Sequence, residues 1–179
     1  KMVLLGDSTV ITRPGQFINI KLSGFFLRRP ISVCDYDKDS ITIIYKTVGS
    51  GTEKMAQMRP GTKLDILTGL GNGFDTQKSG ERPVLVGGGV GVPPMYNLAK
   101  KLTAEGKKPI MIMGFNKASE VFYKEEFEKL GTQTYLATAD GSAGAKGFVT
   151  DVIDPAWDYT YIYACGPEPM LKALYQKSR

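Results

Sequence analysis

Three short segments have residue types and spacing that suit the binding of charged groups. The first, residues 87–94, is Gly-Gly-Gly-Val-Gly-Val-Pro-Pro, between an apolar run and a helical pattern. Backbone amides in such a strand-to-helix turn can bind phosphate. The spacing departs from the Rossmann fingerprint, because Val92 stands where its last glycine belongs. It fits Gly-x-Gly-x-Gly-x-x-Pro and predicts a nucleotide-binding turn, with a tight turn that binds nothing as the alternative. The predicted binding residues are Gly87, Gly88, Gly89, Val90, Gly91 and Pro94.

The second segment, Arg28-Arg29-Pro30-Ile31-Ser32, places two arginines at the start of a predicted strand. A planar guanidinium suits a pyrophosphate, and the serine hydroxyl could meet a ring nitrogen of a cofactor. Taken alone, the arginine pair is better explained as a solvated strand end. Gly49-Ser50-Gly51-Thr52 precedes a predicted helix, however, and its free amides offer a second anion site. Together the two segments predict a site for a diphosphate.

The third segment, Cys165-Gly166-Pro167, follows an apolar strand near the end of the chain. Ligands of open α/β sheets lie outside the carboxyl ends of the strands, so the Cys165 thiol is expected to face the same crevice as the glycine turn. A small buried residue is the alternative, and for a lone cysteine it is the more common case.

Composition excludes several other kinds of chemistry. The chain has no histidine, which rules out a Ser–His–Asp triad and histidine-ligated zinc, so a cofactor is expected to supply the chemistry. Its two cysteines, Cys34 and Cys165, lie too far apart in sequence to suggest metal ligands or a disulfide framework, which favours a cytoplasmic protein without a metal site. The net charge is +5, but the basic residues are scattered among acidic ones, which argues against nucleic-acid binding. An anionic cofactor or an acidic partner remains as an alternative to a generic solvated surface. No apolar run is long enough to cross a membrane.

Two halves with different patterns must position these segments. Residues 1–77 alternate short β-prone runs with turn dipeptides, which predicts a small antiparallel barrel. Its predicted elements are strands at Gln16–Leu22, Pro30–Cys34, Ile41–Val48 and Thr62–Leu67 and one helix at Thr52–Met58.

Residues 78–179 alternate apolar strands with helical patterns, which predicts a parallel sheet with crossover helices. The predicted strands are Val84–Val86, Ile110–Gly114, Thr134–Thr138 and Tyr159–Ala164, and the boundary falls in the polar segment Asp75–Glu81. The acid Asp140, just beyond the third of these strands, favours NADH over NADPH because a carboxylate repels a 2′-phosphate.

The three segments, in this order, resemble the ferredoxin–NADP reductase superfamily. Within it the chain is most similar to the electron-transfer subunits of class 1B dihydroorotate dehydrogenases. The similarity covers nearly the whole chain, through the segments LRRPISV, IIYKTVGSGT, GLGNGF, VGGGVGVPPMYNLAKKL, KGFVTDV and ACGPEPML. The combination is more specific than any single motif.

The resemblance implies that FAD lies on the barrel and NAD(H) docks on the glycine turn. Ser32 would act at the flavin ring, and Cys165, with Gly166 and Pro167, beside the nicotinamide ring. A [2Fe–2S] cluster would carry electrons between FAD and an FMN-bearing catalytic subunit, and the net process would oxidise dihydroorotate to orotate and reduce NAD in pyrimidine biosynthesis. The subunits would form a hetero-oligomer such as a heterotetramer. Cys34 has no part in this scheme. The FAD residues implied are Arg29, Pro30, Ile31, Ser32, Ile44, Tyr45, Lys46, Gly51 and Thr52.

The chain departs from this family at both ends. The family ligates its cluster with a Cys-x4-Cys-x2-Cys segment and a fourth cysteine, and no such segment is present, so these residues cannot ligate the cluster. The first barrel strand of the family also has no counterpart before Lys1, so a truncated chain is expected, with a cluster-free relative as the alternative. The alternative functions are a subunit of another flavin-dependent ferredoxin or sulfide-linked reductase and a non-enzymatic nucleotide-binding module.

Overall fold

The first half of the chain forms an antiparallel sheet of five strands in the order β1-β4-β3-β2-β5. The computed structural model describes residues 1–154 and 156–178, so Pro155 and Arg179 of the predicted second half lie outside the described residues. The sheet is curled into a half-barrel, which confirms the predicted barrel architecture. The elements are β1 Met2–Leu5, β2 Phe17–Lys21, β3 Arg29–Asp37, β4 Ser40–Ile43, the helix α1 Ser50–Ala56 and β5 Asp65–Leu70.

Alternation along β2 shows how the curled sheet buries its inner face. Ile18 and Ile20 are fully buried, whereas Phe17 and Asn19 point to the other face and are half-buried. Helix α1 covers one end of the half-barrel and inserts Met55, which is 1% exposed, into the same apolar core.

Strand β3 changes partners along its length. Residues 29–32 pair with β2, in a register that runs from Ile20↔Arg29 to Phe17↔Ser32. Beyond them Val33 pairs with Ile43 of β4, and the register then shifts so that Asp35 faces Thr42. Cys34 is the extra residue at this irregularity, and β-bulges of this kind redirect side chains.

The second half is a parallel sheet in the order β10-β6-β7-β8-β9, as predicted. Every residue of β6 is buried, because helices cover both faces of the sheet. Leu85 packs with α2 on one face, and Val84 and Val86 pack with Leu174 of α5 on the other. The strands are β6 Val84–Gly88, β7 Ile110–Phe115, β8 Gln133–Thr138, β9 Ala145–Lys146 and β10 Ile162–Cys165, and the helices are α2 Val92–Ala104, α3 Lys124–Lys129, α4 Val149–Val152 and α5 Glu168–Lys177.

The segment between the halves is bound to both of them. The Phe74 amide donates to the Pro14 carbonyl over 2.7 Å, and the Phe74 ring packs edge-on against Tyr163 of β10. The Tyr163 hydroxyl donates to the Asp75 carbonyl over 2.7 Å. Ser79, predicted as part of a polar linker, is 0% exposed. The segment between the halves is therefore packed structure, held by contacts between residues distant in sequence.

Several element boundaries differ from the predictions. The strand predicted at Ile41–Val48 ends at Ile43, because the chain leaves the sheet to reach α1. The helix predicted at Thr52–Met58 spans Ser50–Ala56, so Gly49 is its N-cap and Thr52 lies inside it. The sequence did not predict β1, whose four residues are at most half-buried.

Candidate functional site

The two segments predicted to contact a flavin lie where the antiparallel ladder divides. The pairing of β3 with β4 stops at Val33↔Ile43. From there residues 29–32 remain paired with β2, while residues 44–46 belong to no strand. Both segments therefore leave backbone groups outside the ladder, which is where a planar ligand can be held by the main chain.

Arg29 lies directly over the N-terminal turn of α1. A Cβ atom added to Gly51 would be 2.1 Å from the Arg29 Nε atom, so only glycine allows this approach. The guanidinium also stacks on the Phe25 ring, 4.8 Å from its centroid, and donates to the Leu27 carbonyl over 2.6 Å. Arginine and helix amides thus meet at one point, which fits the predicted diphosphate site.

Thr52 contacts the loop before α1 through its side chain. Its hydroxyl accepts from the Val48 amide at 2.9 Å and the Gly49 amide at 3.2 Å, and it donates to the Gly49 carbonyl at 2.9 Å. The Thr52 hydroxyl therefore stabilises the loop before α1, and only the backbone amide of Thr52 remains for a ligand.

Ser32 shares the outer face of the half-barrel with Phe17, Asn19 and Pro30. Within residues 1–154 and 156–178 the Ser32 hydroxyl has no hydrogen-bond partner, and the buried Asn19 Oδ1 atom has none either. An unpaired buried acceptor opposite Pro30 fits a site that a ligand donor completes. Sequence reasoning missed Asn19, because asparagine at one position of an alternating strand is an ordinary solvent-facing residue.

The glycine turn combines packing glycines with one open glycine. A Cβ atom at Gly87 would lie 2.8 Å from Val92, at Gly88 2.6 Å from the Met170 sulfur, and at Gly91 2.1 Å from the Cys165 carbonyl oxygen. Close packing therefore accounts for the lack of a side chain at these three positions. At Gly89, whose φ is +52°, nothing lies within 4 Å of the added atom.

The free donors of this turn lie before the helix. Val92 begins α2, and Pro93 and Pro94 follow it within the first turn without amides to donate. The candidate phosphate donors are therefore the amides of Gly89, Val90 and Gly91, of which Val90 is 54% exposed.

Cys165 lies with its main chain against the glycine turn. It is the last residue of β10, pairs with Gly87, and places its carbonyl over Gly91. Burial raises the pKa of the Cys165 thiol above its ordinary value, so the sulfur is neutral at pH 7. The arrangement suits contact with an uncharged ring and gives no support for a thiolate nucleophile.

Asp140 lies exposed in the loop after β8. Hydrogen bonds from the Ser142 hydroxyl and amide, 2.6 Å and 2.9 Å long, lower the pKa of the Asp140 carboxyl. It is therefore ionised at neutral pH and disfavours a phosphate beside it.

Among the described residues no group of three or more His, Cys, Asp or Glu could hold a metal ion. Cys34 and Cys165 are both free, and they do not fit the four-cysteine ligation of an iron–sulfur cluster. In residues 1–154 and 156–178 no helix is both long and apolar enough to span a bilayer.

Comparison with known proteins defines the class to which this fold and site belong. The family described as "Oxidoreductase NAD-binding domain" matches residues 85–176. A structure of an NADH-dependent reduced ferredoxin–NADP oxidoreductase, which takes part in flavin-based electron bifurcation, covers 97% of the chain with a TM-score of 0.84 and 30% identity, over 65% of its own length. The FAD/NAD-binding domain of a Vibrio cholerae nitric oxide dioxygenase has a TM-score of 0.81 at 20% identity, covers 98% of the chain and 84% of its own, and shows the fold alone.

Curated relatives narrow the assignment. Electron transfer subunits of dihydroorotate dehydrogenase B (NAD(+)) from Bacillus caldolyticus, Fusobacterium nucleatum and Shouchella clausii are 47%, 47% and 45% identical, over 92%, 97% and 100% of the chain. The chain covers 67%, 72% and 72% of those proteins. The chain belongs to the family of dihydroorotate dehydrogenase B electron transfer subunits, as its sequence motifs predicted.

Proposed function

We propose that the chain binds FAD and NAD(H) and moves electrons between them for a separate dihydroorotate dehydrogenase catalytic subunit in the cytoplasm. The observation that carries the proposal is the convergence of the predicted segments. Arg29 contacts Gly51 at the start of α1, and Cys165 contacts Gly91 of the glycine turn. Bound together, the two cofactors would supply a hydride exchange between their rings.

In this proposal the residues of the chain bind the two cofactors and orient their rings. Arg29 and the amides of Gly51 and Thr52 hold the FAD diphosphate, while Pro30, Ile31, Ser32, Ile44, Tyr45 and Lys46 line the flavin where the ladder divides. Ser32 offers a hydroxyl without a partner in the described structure, and the neutral Cys165 thiol packs against the nicotinamide. The amides of Gly89, Val90 and Gly91 bind the NAD(H) diphosphate, Gly87, Gly88 and Pro94 shape that turn, and Gly166 and Pro167 extend the surface beside the ring.

The partner and the reaction follow from the family. The relatives are named as subunits of a dihydroorotate dehydrogenase, so we infer a hetero-oligomer with a catalytic subunit that converts dihydroorotate to orotate. Such relatives are longer than this chain, and the residues present do not fit a [2Fe–2S] cluster. The hydride exchange between FAD and NAD(H), which the residues present support, does not depend on the cluster.

The test is flavin reduction under anaerobic conditions. The purified chain, loaded with FAD, should lose its visible flavin absorbance when NADH is added, and NADPH should act more slowly because of Asp140. With a family catalytic subunit added, dihydroorotate should reduce the same FAD, and NAD should then be reduced by it, which is the reverse of the step measured with NADH. A chain that retains FAD but is not bleached by NADH would contradict the proposal, and bleaching without any coupling to that subunit would favour a different flavin-dependent reductase.

A further inference from the structure

The two halves of the chain meet where β3 packs against α2 and the residue before α3. The contact begins at the bulge in β3, where Cys34 is fully buried. Burial raises the pKa of the Cys34 thiol to about 12, so it is neutral and unreactive. Its position between the halves points instead to a role in packing one half against the other.

Tyr123 meets Cys34 from the other half. The Cys34 thiol and the Tyr123 hydroxyl lie near enough for each to shift the pKa of the other. The Tyr123 ring packs edge-on against Tyr96 of α2, with centroids 5.1 Å apart. Within residues 1–154 and 156–178, Tyr123 is also the one non-glycine residue with a positive φ, +64°. Strained backbone of this kind persists only where surrounding contacts impose it.

Asp35 adds a polar connection beside this pair. Its carboxylate accepts from the Asn97 side-chain amide over 3.0 Å and from the Lys100 ammonium over 3.0 Å and 3.1 Å. Asn97 is 7% exposed, so its hydrogen bond is largely shielded from water. Lys100 is half-exposed, so water screens its ion pair with Asp35 and the pair contributes little stability.

These contacts link the two cofactor segments through short stretches of rigid backbone. Cys34 follows Ser32 by two residues on the same strand, and Asn97 lies on the helix that begins at the glycine turn. We propose that Cys34, Asp35, Asn97 and Tyr123, here called the interdomain bridge, are positioning residues that hold the flavin site and the nicotinamide site at hydride-transfer distance. The inference rests on the proposed function. A bridge that only stabilises the fold would change unfolding without changing the rate of flavin reduction.

The test compares Tyr123→Phe, Cys34→Ala and the double variant with wild type, each loaded with FAD. Tyr123→Phe removes only the hydroxyl and keeps the ring that packs on Tyr96. We expect FAD retention to be near wild type and NADH affinity to change by less than about twofold. The limiting rate of flavin reduction by NADH, measured by stopped flow, should fall at least about fivefold, because small displacements of reacting atoms are costly. The double variant should be no slower than the slower single variant, since both remove one contact.

Tyr161→Phe is the matched control. Tyr161 precedes β10 at the opposite end of the parallel sheet from the glycine turn, so loss of its hydroxyl should leave the limiting rate unchanged. An unchanged rate in folded, FAD-loaded Tyr123→Phe would overturn the proposal, as would rate losses that multiply in the double variant.

Failure of the proposed function can be distinguished from failure of the interdomain bridge. If NADH does not bleach the wild type, the function is wrong, and the bridge is tested by hydrogen exchange. Tyr123→Phe should then speed exchange of β3 and α2 amides but not of β8 amides, and equal exchange in all three elements would overturn the bridge.

Discussion

Arg28 and Arg29 are neighbours in sequence with different surroundings. The Arg28 guanidinium pairs with the Asp65 carboxylate at 3.0 Å and donates to the Asn19 carbonyl at 3.3 Å. Arg29 lies over Gly51 and has no carboxylate partner in the part of the chain that the structure describes. Arg28 therefore stabilises the contact between β2 and β5, whereas the positive charge of Arg29 is available to bind an anion.

Replacement of the two arginines should separate these roles. Arg29→Ala is expected to weaken FAD binding by about 1.5–3 kcal/mol, the scale of a charge-assisted hydrogen bond, and Arg29→Lys should restore part of it. Arg28→Ala is the matched control and should leave FAD binding nearly unchanged. The measurement is FAD occupancy after dilution and dialysis, and full occupancy in Arg29→Ala would remove Arg29 from the site.

Replacing Cys165 tests whether its side chain only positions the nicotinamide ring. If the sulfur packs against the nicotinamide, Cys165→Ala should fold, hold FAD and lower the limiting reduction rate by at least about tenfold, about 1.4 kcal/mol of barrier. Cys165→Ser should lower it less. A small buried filler would instead cost roughly 1 kcal/mol of stability and leave the rate alone. Cys34→Ala is unsuitable as a control, because Cys34 lies in the interdomain bridge.

At the scale of elements, the glycine turn connects two strands and a helix through backbone contact. The Cys165 carbonyl packs so closely on Gly91 that any side chain at this position would collide with the main chain. Gly89 faces open space instead, and only its left-handed φ favours glycine. The same residue type thus serves packing at one position and ligand access at another.

Two alanine variants should distinguish these glycines. Gly91→Ala is expected to cost about 1–3 kcal/mol of stability, because the added methyl forces the turn from β10. Gly89→Ala should cost only about 1–2 kcal/mol for its left-handed backbone but should weaken NADH binding, since the methyl enters the space reserved for the dinucleotide. Chemical denaturation and NADH titration measure the two effects. Unchanged NADH affinity in Gly89→Ala would argue against the turn as the binding site.

The sequence predicted the elements whose pattern is local and strong. Val84–Val86 was correct as a buried strand, because an apolar run before glycines leaves few alternatives. Residues 44–48 continue the β-branched pattern of β4 yet leave the sheet, since the hydrogen bond between the Val48 amide and Thr52 belongs to the loop that leads to α1. The contact of Cys34 with Tyr123 joins residues from different halves, and no local pattern specifies it.

At the scale of the whole molecule, the halves behave as one packed unit. The Phe74 ring lies 2.6 Å from the position that a Cβ atom on Gly15 would take and also packs on Tyr163. It therefore belongs to both halves at the point where the chain passes between them.

Phe74→Ala should therefore destabilise the whole chain. We expect a loss of about 2–4 kcal/mol, somewhat below that of a fully buried phenylalanine, in a single transition. Phe148→Ala, at a ring that is 69% exposed, should change stability by less than about 0.5 kcal/mol. Denaturant unfolding followed by circular dichroism and by flavin fluorescence measures both, and separate transitions for the two probes would show that the halves unfold independently.

The order of the strands has a consequence for biosynthesis. All five strands of the antiparallel sheet lie within residues 2–70, so the ribosome delivers that half in one continuous stretch. In the parallel sheet β6 lies between β7 and β10, and β10 is the last of these five strands to be translated. Until residue 165 has left the exit tunnel, one edge of the most deeply buried strand has no partner. We expect residues 2–70 of the nascent chain to fold early. Chaperone protection should then be needed chiefly along the unpaired edge of β6.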